Sequence, residues 1–132
     1  MTETPVKPAL RSRDAIELLS DKWRIAVLHL LTTGALRTNQ LHRSIRDVSA
    51  EEVSAKVLTQ TLRRMERDGL VERRVLAEAP PHVEYRLTPM GRSVVEPLRE
   101  LCHWAQAHVE ERDAARQRYD QANRRGVKAG RA

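Results

Sequence analysis

Apolar positions come in short clusters, and their spacing changes along the chain. The most informative cluster opens at Ser54. At about 100° per residue, Leu58, Leu62 and Met65 share one stripe with Ala55 beside it. Lys56, Gln60, Arg63 and Arg67 share the opposite stripe, flanked by Thr59 and Arg64. Ser54 can cap this helix, because its hydroxyl can accept from first-turn amides. Gly69 stands where a left-handed residue ends a helix, with Leu70 and Val71 after it. A solvated face would mix Glu with Lys four residues apart, yet Glu66 is the only acid here and lies to one side. Cations mixed with Thr and Gln can bond both phosphates and base edges, so this face suits a DNA major groove.

Upstream, residues 1–10 carry Pro5 and Pro8 with little periodicity, which predicts a flexible arm. Ala15, Ile16, Leu18 and Leu19 predict a short helix that Ser20-Asp21 interrupts, with Asp21 as cap of the next. From Lys22 to about Thr33 the chain is apolar nearly all round, so this is the expected central core helix, with His29 packed inside it. Gly34 stops it. A third helix opens near Arg37, with Thr38 or Asn39 as cap and Leu41 and Ile45 facing inward. A short helix, a connection and the Ser54 helix make a helix-turn-helix pattern. The connection has a capping box of its own in Ser49 and Glu52. One helix running on from Ser49 would put Val53 on the face of Gln60 and Arg67. A separate helical turn at 50–53, with a break at Ser54, is therefore expected.

After Gly69 the period shortens toward two. Residues 70–76 and 83–87 read as strands around a tip containing Pro80 and Pro81. A hairpin after a recognition helix is the wing of a winged helix, with His82 and Arg86 near the tip able to reach a phosphate or the minor groove. A hairpin that only covers the core is the alternative. Arg73 and Arg74 are expected to split, one toward DNA and one toward Glu or solvent. Thr88-Pro89 starts a long helix. Its stripe holds Val94, Leu98, Leu101, Ala105 and His108, widened by Val95, Cys102 and Val109, and Pro97 should kink it or mark a junction. A three-helix core with a hairpin cannot cover a stripe this long, and Trp104 adds more apolar surface. A second copy of the helix is the simplest partner. From Glu110 the chain is polar and Arg-rich, so residues 111–132 are expected to be a basic, disordered tail with weak nonspecific DNA affinity.

Composition narrows the partners. The chain has 132 residues, room for one domain, and 24 Lys plus Arg against 18 Asp plus Glu give a net charge of +6. The pI near 10.2 favours a polyanionic partner without separating nucleic acid from a membrane surface. No apolar run approaches the roughly 18 residues of a bilayer span, and no secretory signal opens the sequence, so a cytoplasmic protein without membrane contact is expected. Two Trp, two Tyr and no Phe leave little to stack single-stranded bases. The single cysteine, Cys102, excludes an internal disulfide, and its place on the apolar stripe fits a buried thiol better than a redox sensor. His103 and His108 flank the stripe without thiol or carboxylate partners at tetrahedral spacing, so no metal site is expected. No glycine-rich phosphate loop and no Ser-His-Asp order appear, which argues against a cofactor and against an enzyme.

The runs D-K-W-R-I-A-V-L, S-A-K-V-L-T-Q-T-L-R-R-M-E-R-D-G-L-V-E-R, P-P-H-V-E-Y-R-L-T-P-M-G-R-S and L-C-H-W-A resemble the HxlR-type winged-helix transcriptional regulators of bacteria, over about residues 14–108. The resemblance implies a mainly α fold with a small β-hairpin: a winged helix-turn-helix, spanning 11–110, dimerised through its first and last helices. It places Lys56, Thr59, Gln60 and Arg63 on the DNA-reading helix and Pro80 to Arg86 in the wing. Ile16 and Leu19 of the first helix, with Leu98, Leu101, Cys102, Trp104 and Ala105 of the last, form the implied dimer interface. Three departures stand out. Ser20-Asp21 replaces a Gly-Gly turn, Thr38 replaces a packing Phe, and about five extra residues precede Ser54. Where some members carry a sensing cysteine, this chain has Leu10, Arg11 and Ser12.

The reading is therefore a homodimeric, sequence-specific regulator of transcription, a repressor of an inverted repeat. It would contact double-stranded DNA through Ser54, Lys56, Thr59, Gln60, Arg63, Arg64, Arg67, His82 and Arg86. A small-molecule effector is an open partner, and the operator is not legible. A nonspecific architectural DNA binder and a winged-helix protein-interaction module are the alternatives.

Overall fold

The polar break at Ser20-Asp21 separates the first two helices in the computed structural model, which describes residues 13–129. Helix α1 is Arg13–Ser20 and helix α2 is Lys22–Leu30. The Asp21 carboxylate accepts from the amides of Trp23 at 3.0 Å and Arg24 at 3.3 Å, so it caps α2 as its sequence position predicts. It also faces the Arg24 guanidinium at 3.4 Å, and Asp68 meets the same group at 3.3 Å. Arg24 is only 8% exposed. A cation that deep needs paired charge, and two carboxylates supply it.

Helix α2 packs against both later helices of the helix-turn-helix, burying Ala26, Val27 and Leu28. A 3-10 turn, Leu31–Thr33, carries it to Gly34, whose φ of 144° favours glycine. His29 does not pack inside as expected. It is exposed, because positions seven apart share a helix face and Lys22 puts that face in solvent. A two-residue strand β1, Leu36–Arg37, follows and is too short to show a period. Helix α3, Thr38–Ser49, buries Leu41 and Ile45 completely. Neither Thr38 nor Asn39 caps it. The Gln40 side chain reaches back instead and accepts from the Arg37 amide at 2.9 Å.

The connection contains no helical turn at 50–53. Ala50, left-handed at φ 56°, ends α3, and the Ser49 hydroxyl donates to the Ile45 carbonyl at 2.8 Å. Val53 is 5% exposed, and the His42 ring Nε2 lies 2.6 Å from its carbonyl oxygen. Val53 is buried, as a break before α4 requires, but through an extended connection held by His42 rather than through a helical turn. Ion pairs Lys22–Glu51 and Arg46–Glu52 fasten the same stretch. The break at Ser54 is where the sequence places it: Ser54 Oγ accepts from the Val57 amide at 3.1 Å and opens α4, Ala55–Arg67. Gly69, at φ 78°, ends the turn after it.

Strands β2, Val71–Leu76, and β3, His82–Leu87, pair antiparallel from Val71↔Leu87 to Leu76↔His82. β1 adds to the other edge of β3, giving a three-stranded sheet in the order β1-β3-β2 rather than a bare hairpin. Thr88 then caps α5, Pro89–Ala107: its hydroxyl accepts from the Gly91 amide at 3.0 Å and donates to the Gly69 carbonyl. At Gly91 a Cβ would lie 2.1 Å from the Leu70 carbonyl oxygen, so only glycine fits. Pro97 lies inside α5, and the chain divides at Glu96–Pro97 into two compact units.

The polar end differs from expectation. Val109–Ala129 is a 21-residue helix, α6, where a disordered tail from 111 is expected. Glu110 and Glu111 complement the positive end of its dipole, and Ala, Arg and Gln are strong helix formers. Low hydrophobicity removes a packing face without removing helix propensity. The proposed arm at 1–10 and residues 130–132 lie outside the described residues.

Two substitutions test these junctions. Gly91→Ala should destabilise the protein by about 1–3 kcal/mol and lower its melting temperature by several degrees, with Ser93→Ala near neutral. Asp21→Asn keeps a good cap but unbalances Arg24, so in urea denaturation Asp21→Ala should cost about 1 kcal/mol more than Asp21→Asn.

Candidate nucleic-acid interface

Helix α4 is held by one face and open on the other. Leu58, Leu62 and Met65 are fully buried and Thr61 is 4% exposed. Thr61, three residues after Leu58 and four before Met65, completes the inner stripe. Ala55, expected beside that stripe, is exposed in the first turn. On the outer side Lys56, Gln60, Arg63, Arg64 and Arg67 are all exposed. Thr59 is half-buried, and its hydroxyl donates back to the Ala55 carbonyl at 2.8 Å. Ser54 is exposed and its oxygen is engaged as the cap. Lys56, Arg64 and Arg67 form no ion pair among the described residues, so their charge is available to an outside anion.

The two ends of α4 differ electrostatically. Arg64 and Arg67 line an open groove with Glu17, Asp21, Asp68, Arg24 and Lys22, whose ammonium sits 4.8 Å from the Trp23 ring centre. At the other end the acids that precede α4, Glu51 and Glu52, are each taken by a basic partner. Lys56 and Gln60 thus face outward from a locally neutralised turn.

The hairpin places its two candidate residues apart. His82 begins β3 opposite Leu76, beside the 77–81 tip, with its ring 3.8 Å from Glu78; Arg37 reaches the same carboxylate at 3.5 Å. Arg86 is not near the tip. It pairs with Glu72 across the base of the hairpin at 2.7 Å and 2.8 Å, four residues, or about 13 Å, along the strand from His82. The tip spans only 77–81, which leaves Arg86 next to the last residue of β3. Arg73 stands opposite Tyr85 and Arg74 opposite Glu84, on alternate faces of the sheet.

Tyr85 is 4% exposed and ties sheet to helix. Burial pushes its phenol above the ordinary value of 10.0, with Glu66 adding to the rise, while the Arg73 and Arg63 cations oppose it. Arg73, the cross-strand neighbour of Tyr85, therefore acts on the same phenol as Arg63. Sequence patterning did not single out Arg37, whose two-residue strand has no period, or assign a partner to Arg73, whose role depends on cross-strand register.

The candidate dimer residues are reported for their own unit. Leu98 is buried at 7% exposure, whereas Leu101 is 46% and Trp104 61% exposed, and Cys102 and Ala105 are exposed too. Cys102 is thus not a buried thiol in the single chain. Trp104 stacks on His108 with ring centres 4.6 Å apart. Ile16 and Leu19 lie on the α1 backbone, and their side chains are outside the described residues. Among the described residues no group of three or more His, Cys, Asp or Glu could hold a metal ion, and no helix is long and apolar enough to cross a membrane.

Comparison with known proteins gives one answer. The family model described as HxlR-like helix-turn-helix matches residues 18–113. The uncharacterized HTH-type transcriptional regulator YkvN of Bacillus subtilis is 39% identical over 95 residues, covering 72% of this chain and 76% of YkvN. YtfH of Escherichia coli, also named an HTH-type transcriptional regulator, is 35% identical over 100 residues, covering 76% of this chain and 75% of YtfH. The reduced form of the transcriptional regulator YodB from B. subtilis superposes with a TM-score of 0.60 at 32% identity, over 70% of this chain and 85% of that one.

The tyrosine offers a pH test. Its folded value is raised, so the stability it contributes is fully present below pH 10.0 and is lost as pH climbs through the folded value. In a Tyr119→Phe background, near-ultraviolet titration should show Tyr85 ionising above pH 10.0, and Arg73→Gln should move it higher still.

Proposed function

The chain belongs to the HxlR-like helix-turn-helix family of transcriptional regulators, and on that premise we propose that it acts as a homodimeric, sequence-specific repressor binding an inverted repeat in double-stranded DNA. The observation that carries this reading is the outer face of α4, where exposed Lys56, Gln60 and Arg63 stand opposite a fully buried stripe. The buried side fixes which residues a groove would meet. Gln60 can bond an adenine edge with both amide atoms, Thr59 presents its methyl, and Lys56, Arg63, Arg64 and Arg67 neutralise phosphates or read guanine. His82 supplies a wing contact, with Arg86 a secondary one behind its Glu72 pair.

The apolar surface of α5 supports pairing. Leu101 and Trp104 are large and uncovered, which a single chain in water does not favour. A two-fold dimer would present two α4 helices to half-sites about 34–36 Å apart, and the bound dimer would cover promoter DNA.

Selection from random DNA, followed by competition, tests the specific reading. The selected operator should outcompete random duplex by roughly 10³-fold or more at physiological salt. Gln60→Ala should reduce that preference by about 10- to 100-fold at one base position. Equal binding of both duplexes rules the proposal out in favour of a nonspecific binder. Trp104→Asp with Leu101→Asp should turn a dimer into a monomer in light scattering; a monomeric parent protein would refute the two-fold arrangement.

A further inference from the structure

Helix α6 runs past residue 113, where the family match ends, and its charge is unevenly placed. Glu110, Glu111 and Asp113 lie near its start, with Arg112 among them paired to Asp113 at 3.1 Å. After Ala114 the described side chains include Arg116, Arg118, Arg124 and Arg125 against Asp120 alone, and all of them are exposed. At about 100° per residue, Gln117, Arg118, Gln121, Arg124 and Arg125 fall within an arc of roughly 120°. Ala115, Tyr119 and Ala122 occupy the opposite side, with Asp120 outside both arcs. Asp120 stands four residues from both Arg116 and Arg124, the i,i+4 pairing of a solvated helix, whereas Arg118 and Arg125 have no acid three or four residues away. The helix dipole favours cations only in the last turn, so it does not account for Arg116 and Arg118. A polar helix with no packing stripe is also marginal alone, and binding a polyanion along its cationic side would stabilise it.

We infer that α6 is a second DNA-contacting element, laying its Arg118-Arg124-Arg125 side along the phosphate backbone of the duplex that the protein binds. The 21 residues span about 32 Å, enough to track roughly nine base pairs. The contact carries no sequence information. It adds affinity and salt dependence, while α4 supplies the choice of site. The inference rests on the DNA-binding reading above and extends it beyond the helix-turn-helix.

The test compares the full chain with a variant carrying Arg118→Gln, Arg124→Gln and Arg125→Gln, which keeps helix propensity while removing the three charges of that side. Fluorescence anisotropy gives affinity against salt for two duplexes, one bearing the selected operator with ten or so flanking base pairs (roughly one helical turn) and one of random sequence. The slope of log affinity against log salt should become shallower by about three or more on both duplexes. Preference for the operator should be unchanged, which also shows that the variant folds. An unchanged slope overturns the inference even if operator preference is intact. A variant that turns monomeric with its slope unchanged overturns it too, assigning α6 to self-association. A reduced slope without any operator preference supports α6 as a DNA contact and removes the specific function instead. No binding of either duplex by the full chain removes both.

Discussion

A guanidinium buried between two aspartates holds together the pair of helices on which everything else in the first unit rests. Arg24 leaves the first turn of α2 and meets Asp21, the cap of its own helix, and Asp68, the residue that closes α4. The start of the central helix is thereby tied to the end of the recognition helix. The guanidinium is the buried member, with Asp21 part-exposed and Asp68 open to solvent, so removing Asp21 leaves a deep cation short of compensation. The apolar contacts of Leu58, Leu62 and Met65 keep α4 close-packed against the core. The buried stripe sets which side chains of α4 reach outward, and the ion pairs add a tie at its C-terminal end.

A second constraint is electrostatic. Four acids around the helix-turn-helix are committed to internal partners: Glu51 to Lys22, Glu52 to Arg46, Glu72 to Arg86 and Glu78 to Arg37, while exposed Asp47 and Glu66 form no ion pair among the described residues. Each exposed pair adds little to stability. Their larger effect is on the local field, since carboxylates that would repel a polyanion are screened at close range. The outer residues of α4 are left as the uncompensated charge on that face. A net charge of +6 spread evenly would attract DNA from any direction, whereas this arrangement gives the attraction a direction.

Much of this was legible in the sequence, and the failures share a cause. Caps at Asp21, Ser54 and Thr88 depend on one residue and its nearest amides, and each sits where the local pattern places it. The two faces of α4 follow from periodicity alone. The 50–53 connection misled because its capping box is a local signal, while the burial of Val53 is decided by α3 and the core around it. His29 misled because a nearly continuous apolar run hides which residue turns outward. Strand β1 was invisible at two residues, and Arg86 was misplaced along the hairpin because register sets where a strand begins. The helical end was missed for the opposite reason: polarity was read as disorder, although propensity and packing are separate contributions.

The base of the hairpin bears on how such a protein can change over time. The Leu70 carbonyl accepts from the Thr88 amide at 3.1 Å and abuts Gly91, so the chain entering the hairpin and the chain leaving it are stapled at one point. Beyond that staple the hairpin is a closed excursion. Residues may be gained or lost at 77–81 without altering the path of α4 or the start of α5. The length of the tip becomes an adjustable dimension of the molecule, independent of where α4 sits.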